Sequence, residues 1–348
     1  MATIGNTYYN LADYFRSMSP DGSIEADIVE ILAELTPIVR DAVNIEANNG
    51  TNHIHSVRDT LPSVTWGRLY KGVAPSKSGR SQVTDTTGFV EGLSDIDTRL
   101  LELAGGKAEA LRMSEARGFL QSMAQEAEET IFYGDTITTP EEFKGLAARA
   151  NAIGSGTYGN QIVDGGGSGS DNTSVWFVTW SEDYTSIIHP QNTKAGLQRE
   201  DKGEQRVLDA DGRAYFVKEE LFRWHLGLSV KDPRGNVRVA NIDVSDLLAG
   251  NVDIHALLRK GYYRLGTRRS GKYLDAQGNA IAGAGATGRT VIYMNTTVLE
   301  ALDAEAMGSG ASALQLRPME LEGKEVLTWR GLPIRETDAI LNTEAAVA

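Results

Sequence analysis

The run from Gly106 to Asp135, GKAEALRMSEARGFLQSMAQEAEETIFYGD, limits what this chain can fold into more than any other stretch. Ala108, Leu111, Phe119, Leu120, Met123, Ala127 and Ile131 recur every three to four positions, and 3.6 residues per turn gathers them into one narrow stripe. At about 1.5 Å per residue the predicted helix is a rod of roughly 40 Å, longer than an ordinary compact domain is wide. Gly134 is placed to stop it. A rod of this kind lines an extended body.

The whole chain has 348 residues, enough for two domains or for one domain with extensions. Apolar residues make up 41% and charged residues 23%, which fits a folded soluble protein and not a disordered one. The formal charge of −13 argues against non-specific coating of nucleic acid, which rests on clustered Lys and Arg. With no cysteine, disulfides, thiolate chemistry and Cys-based zinc sites are excluded. The opening MATIGNTYYNLADYF has no basic segment followed by an apolar one, and no apolar run approaches a membrane span. Synthesis in the cytoplasm is the expectation.

Ser23 is placed to cap a short amphipathic helix carrying Ile24, Ile28, Ile31, Leu32 and Leu35, disturbed by Pro37. So short a helix needs a surface to lie on. Between Thr51 and Gly92 the pieces SVTWGRLY and SQVTDTTGFVE are predicted to pair around the tip VAPSKSGR as a long hairpin. An isolated hairpin is at best marginally stable, so it too should rest on something. From Ser56 to Gln82 five basic residues face one acidic residue; from Glu91 to Asp135 ten acidic residues face four basic ones. Opposite signs on neighbouring segments invite contact within or between chains.

Beyond the rod, Thr139 and Pro140 read as a helix start, GGGSGSDNTS as a flexible loop, and SVWFVTW as a strand. Phe222, Trp224, Leu226, Leu228 and Val230 alternate with polar or small residues, and DPRGN then VRVANI complete a predicted hairpin over 222–242. NVDIHALLRK reads as helix and RTVIYMN as strand. Thr297 with Glu300 reads as a capping box opening TVLEALDAEA, and KEVLTWRGLPIRETDAIL as two strands about Gly331. The fold class is α+β, with strands and helices more segregated than alternating.

Motifs that could carry chemistry are weak in context. GAGATG at 283–288 has the spacing of a dinucleotide fingerprint but precedes a strand and follows a polar loop, so it reads as a loop. GGGSGSDNTS lacks the lysine of a phosphate-binding loop. His53 and His55 could face one way and hold a metal, yet no third ligand is placed, and two polar residues on a hairpin's wet face is the plainer reading. Asp209 and Asp211 in DADGRA read as a turn rather than a calcium loop, since the later glutamate is missing. Glu126, Glu128 and Glu129 read as a solvated helix face. No catalytic residue, cofactor or metal is assigned.

IFYGD at the end of the rod, PEEFKGL just after it and WRGLPIRETDAI near residue 340 resemble the major capsid proteins of tailed double-stranded DNA bacteriophages, most strongly a podophage-type subgroup. LPSVTWGRLYKGV, DNTSVWFVTW and RVANID add to the resemblance, which covers most of the chain. It implies the tailed-phage major-capsid fold: residues 1–50 an N-terminal arm, 51–92 an extended loop hairpin reaching over a neighbouring subunit, 93–242 a peripheral domain with a spine helix at 106–134, and 243–348 an axial domain. Strand-rich material from Ser174 to Ile242 precedes the Gly-Leu-Pro strand, which points to a permuted strand order relative to the common arrangement.

The resemblance also implies a non-enzymatic shell subunit that assembles with itself as pentamers and hexamers into an icosahedral capsid in the host cytoplasm. Its further partners would be scaffolding, portal and decoration proteins and packaged double-stranded DNA, with no membrane. A lone hairpin, a lone arm and a long rod all want partners, which closed assemblies supply by repeating interfaces. The charges predict an intersubunit contact between Arg68, Lys71 or Lys77 and Glu126, Glu128 or Glu129. The alternatives are an encapsulin-like compartment with protein cargo, and a soluble nucleotide- or metal-dependent enzyme using the Gly-rich loops or the His53/His55 pair.

Overall fold

The computed structural model describes residues 36–209, 211–265, 288–308, 316–321 and 324–348. The predicted helix capped by Ser23 and the GAGATG stretch up to Thr287 lie outside the described residues.

In chain order the elements begin with α1 (Ile38–Asp41), β1 (Asn44–Glu46), β2 (Asn52–Thr60), β3 (Gly79–Asp97), α2 (Thr98–Ala104) and the long α3 (Ala108–Tyr133). Next come α4 (Leu146–Arg149), α5 (Gly156–Gly159), β4 (Ile162–Asp164), β5 (Asn172–Trp180), β6 (Thr185–His189), β7 (Leu197–Leu208), β8 (Ala214–Val230) and β9 (Val237–Asp243). The chain closes with α6 (Val244–Leu248), α7 (Ile254–Leu265), β10 (Arg289–Met294), α8 (Thr296–Gly308), β11 (Leu316–Leu321), β12 (Lys324–Trp329) and β13 (Leu332–Glu336).

The sheet is ordered β11-β12-β13-β10-β5-β6-β8-β3-β2 among the described residues, with β7 on β8, β4 and β9 joined to β5, and β1 on β6. Its centre explains why SVWFVTW reads as unbroken apolar sequence. Trp176, Val178 and Trp180 of β5 enter one core with Met123, Ala127, Ile131 and Phe132 of α3 and with Phe222 to Val230 of β8. Val175 and Phe177 enter a second core with β9, α7, α8 and Ile334. A strand covered on both faces has no polar side to present. Tyr293 and Ile292 of β10 divide in the same way.

The long helix begins at Ala108 and ends at Tyr133, where the Gly134 N–H donates to the Thr130 carbonyl. Leu111, Met123, Ala127 and Ile131 are buried as the stripe requires, and Phe119 stacks on Phe222 at 5.3 Å between ring centres. Leu120 stays exposed, and three polar residues the stripe did not include are buried: Arg112, Glu128 and Thr130. Arg112 bonds Glu109 and Asp201 at 2.8 Å and also Glu220, which ties the start of α3 to the β7–β8 ribbon. Residues 344–348 clasp the other side. Glu344 bonds Arg238 at 2.9 Å, with Ser174 and Tyr133 as further partners, and the Val347 N–H donates to Asn241.

Four local expectations are corrected. The strand opposite β3 is β2, Asn52–Thr60, so residues 63–70 form no strand and the excursion's loop spans 61–78. β8 and β9 do not pair: β8 is flanked by β3, β6 and β7, while β9 lies on β4 and β5. The DPRGN turn is a 3-10 turn that passes the chain between distant parts of the sheet. Thr139 and Pro140 open no helix, because Asp135 folds 135–139 into turns through the Ile137 and Thr139 N–H groups. Asn295, not Thr297, caps α8 by accepting from the Val298 N–H at 3.0 Å. The strands about Gly331 stand as predicted, with Arg330 and Gly331 at positive φ in a tight turn.

Candidate subunit-contact surfaces

β3 is 19 residues long and serves two partners: Thr87 to Asp97 pair with β8, and Gly79 to Thr86 pair with β2. The β2–β3 hairpin therefore continues a sheet strand outward and carries loop 61–78 at its tip. The Ser76 hydroxyl donates to the Ser63 carbonyl at 2.8 Å, and the Gly79 N–H donates to the Thr60 hydroxyl at 2.9 Å. Trp66 is 100% exposed and Leu69 91%, with Leu61, Val64, Tyr70 and Val73 also open. Arg68, Lys71 and Lys77 are exposed among them. Apolar area presented so openly is unusual for a surface that stays in water.

A second surface lies where the end of α3 meets β3. Gly88, Phe89, Ala127, Thr130, Phe143 and Leu226 line a groove of about 310 Å³, rimmed by Glu126, Glu141 and Glu142. Phe89 is 61% exposed there. Partial desolvation raises the Glu126 carboxyl above its usual range, and the like charges of Glu129 and Glu142 push the same way. A crowded acidic rim over an apolar floor favours an arriving segment that brings cations and aromatic groups together.

The three glutamates expected on one acidic face separate. Glu126 and Glu129 are exposed, but Glu128 is fully buried and is not on that face. Its Oε1 accepts the Ile38 N–H at 2.8 Å, joining α1 to the long helix. Burial, then the nearby charges of Asp41 and Asp338, raise its pKa to about 8 against the pull of the Ile38 N–H. Its signal was in the spacing: Glu128 sits three residues before Ile131, beside the stripe.

The remaining motifs resolve into structure. His53 and His55 do share a face of β2, with ring centres 6.4 Å apart, but His53 is buried and the His55 side chain largely so, and the face is not wet. Among the described residues no group of three or more His, Cys, Asp or Glu side chains is placed to hold a metal ion. Asp209 accepts from the Asp211 and Arg213 N–H groups in the turn between β7 and β8. The glycine run is pinned, not loose. The Gly165 and Gly167 N–H groups donate to Ala240 and Asn241, and a Cβ on Gly165 would stand 2.6 Å from the Asn241 carbonyl oxygen. Those amides are used up within the fold and cannot cradle a phosphate.

IFYGD and FKGL, separated by seven residues in sequence, touch. The Gly145 N–H donates to the Gly134 carbonyl at 2.8 Å, and added Cβ atoms would meet the Phe143 oxygen at 2.5 Å from Gly134 and the Thr130 oxygen at 2.7 Å from Gly145. Among the described residues no helix is long and apolar enough to cross a membrane.

Comparison with known proteins points one way. The family model described as Major capsid protein GP7 matches residues 19–348. Among solved structures, a chain of bacteriophage Epsilon15 is similar at 32% identity and a TM-score of 0.75, covering 100% of this chain and 99% of that one. The bacteriophage JBD30 capsid matches at 10% identity and a TM-score of 0.47, over 90% of this chain and 94% of that one. The SrpI encapsulin complex of Synechococcus elongatus PCC 7942 matches at 11% identity and 0.40, over 70% and 93%. Neither of the last two is close enough to bear on function, and no functionally curated protein matches the sequence. With both the long glycine-closed helix and the projecting hairpin in a fold shared end to end with the Epsilon15 chain, this protein belongs to the Major capsid protein GP7 family and is a shell subunit of a bacteriophage virion.

Proposed function

We propose that the protein assembles as pentamers and hexamers into an icosahedral capsid around double-stranded DNA, without catalysing a reaction, and that loop 61–78 of one subunit seats in the Phe89–Phe143 groove of the next. Loop 61–78 carries this reading, because it exposes six large apolar side chains beside three cations. Trp66, Leu69 and Tyr70 supply the anchoring area, since aromatic groups at the centre of an interface dominate its energy at about 2 kcal/mol or more each. Arg68, Lys71 and Lys77 face Glu126, Glu129, Glu141 and Glu142. Each exposed pair adds only about 0–1 kcal/mol and serves mainly to set register.

In the same reading residues 1–50 are the arm, 51–92 the extended loop, 93–242 the peripheral domain and 243–348 the axial domain. The boundary near 243 is drawn better in space than in sequence, because β10 pairs with β5 from Arg289↔Trp180 to Tyr293↔Trp176. Scaffolding, portal and decoration proteins are the expected further partners, with assembly in the host cytoplasm.

Reversing two charges tests the contact. The double variant Arg68→Glu/Lys71→Glu is expected to lower particle yield about tenfold at moderate salt, with partial recovery when Glu126→Lys and Glu142→Lys are added. Particle counts by electron microscopy that match the wild type sink the contact while leaving the family intact.

A further inference from the structure

The extended hairpin is rooted in a buried polar cluster that the shell role does not use. His53 stands directly opposite Asp85 in the β2–β3 register, and His55 lies two pairs further out, opposite Val83. His53, Asp85 and Arg149 are all nearly inaccessible to solvent. Asp85 is already committed: Oδ1 takes the Arg149 guanidinium at 2.9 Å and Oδ2 accepts the Val230 N–H at 3.3 Å. Arg149 also donates to the Leu228 carbonyl at 3.0 Å, which fixes α4 to β8. The His55 Nδ1 is 3.7 Å from Asp85, beyond hydrogen-bond length. His53 Nδ1 and both ring nitrogens of His55 are buried without a hydrogen-bond partner. Two imidazoles are thus packed beside one carboxylate whose two oxygens already serve Arg149 and the Val230 N–H, and neither ring hydrogen-bonds it through Nδ1.

We infer that His53 and His55 make the root of the hairpin a proton-operated hinge: uncharged, the rings fill the space between β2 and the Asp85–Arg149 pair; charged, they push β2 off it.

The surroundings set the sign. Burial is the main cause holding both rings below the ordinary histidine value of 6.5. Lys231, after β8, lowers both further; His55 lowers His53, and Arg149 on α4 lowers His55. Asp85 on β3 opposes this at both rings, and Glu182 between β5 and β6 opposes it at His53. Tyr158 on α5 is held neutral by burial and adds no charge. The open hairpin therefore binds more protons than the seated one, so seating is complete above pH 6.5 and is lost as pH falls below it. Because loop 61–78 rides on β2 and β3, the hinge sets the angle at which a subunit offers that loop. This consequence for assembly rests on the docking reading above, whereas the hinge itself belongs to the single subunit.

Hydrogen exchange on the full-length, unassembled subunit at about pH 5 and about pH 7.5, corrected for intrinsic exchange, reads the hinge without any particle forming. The amides of residues 52–57 should exchange about tenfold or more faster at the lower pH, with β5 unchanged. The double variant His53→Gln/His55→Gln should show no such difference. Equal corrected rates in the wild type, uniform loosening of the whole subunit, or a pH effect that survives the double variant overturns the hinge. Ring titration of the wild type by NMR gives a second reading that needs no variant. Midpoints below those of the denatured chain accord with the hinge, and midpoints equal to them refute it.

Discussion

Glu128 is a carboxyl group enclosed between a helix and the segment that precedes the first strand. Burial without a cation makes the charged form costly, so the group keeps its proton up to about pH 8 when folded and only to about 4.5 when unfolded. Between those values the folded protein holds the extra proton. The stabilisation is complete below the unfolded value and is lost as pH rises through 8. Glu128→Gln cannot ionise, yet its amide oxygen still accepts the Ile38 N–H. Urea unfolding of the free subunit should give matching stabilities near pH 4, and a variant more stable by roughly 1–4 kcal/mol near pH 9. Curves that stay parallel across that range would show that the site is not titrating. In sequence this glutamate is indistinguishable in type from Glu126 and Glu129, and only its position beside the Met123–Ala127–Ile131 stripe separates it from them.

At the scale of elements, the two glycines Gly134 and Gly145 let the end of the long helix meet the strandless 135–145 segment with no side chain between. Gly145→Ala would drive a methyl into the Thr130 and Ile131 carbonyl oxygens, neither of which is the free end of a side chain. The expected loss is about 1–3 kcal/mol in subunit unfolding, with helix α3 frayed at Tyr133 by hydrogen exchange. An unchanged midpoint would mean the segment shifts freely. Elements whose burial shows in their own residues were legible, above all α3, β5 and β10. Pairing was not: β8 and β9 each read as strands joined by a turn, but nothing within them records that their partners are β3, β6 and β7 in one case and β4 and β5 in the other. The groove escaped for the same reason, since Phe89, Ala127 and Phe143 lie far apart in sequence and only the fold unites them. The cationic loop, by contrast, was readable from composition alone.

Across the whole molecule, the large aromatic residues are unevenly distributed. Trp176, Trp180 and Trp329 are at most 1% exposed and Trp224 is 6%, whereas Trp66 is fully open at the end of the projecting hairpin. These are the five tryptophans of the chain. The subunit thus carries its own optical label at the place where it is proposed to join its neighbour. In free subunits the water-exposed, red-shifted component of the emission, and the share quenched by iodide, belong to Trp66. When shells form, that component should move to shorter wavelength and lose its access to the quencher on the timescale of docking. Trp66→Phe should abolish the change, and an emission that stays quenchable in finished particles would place the loop outside every interface.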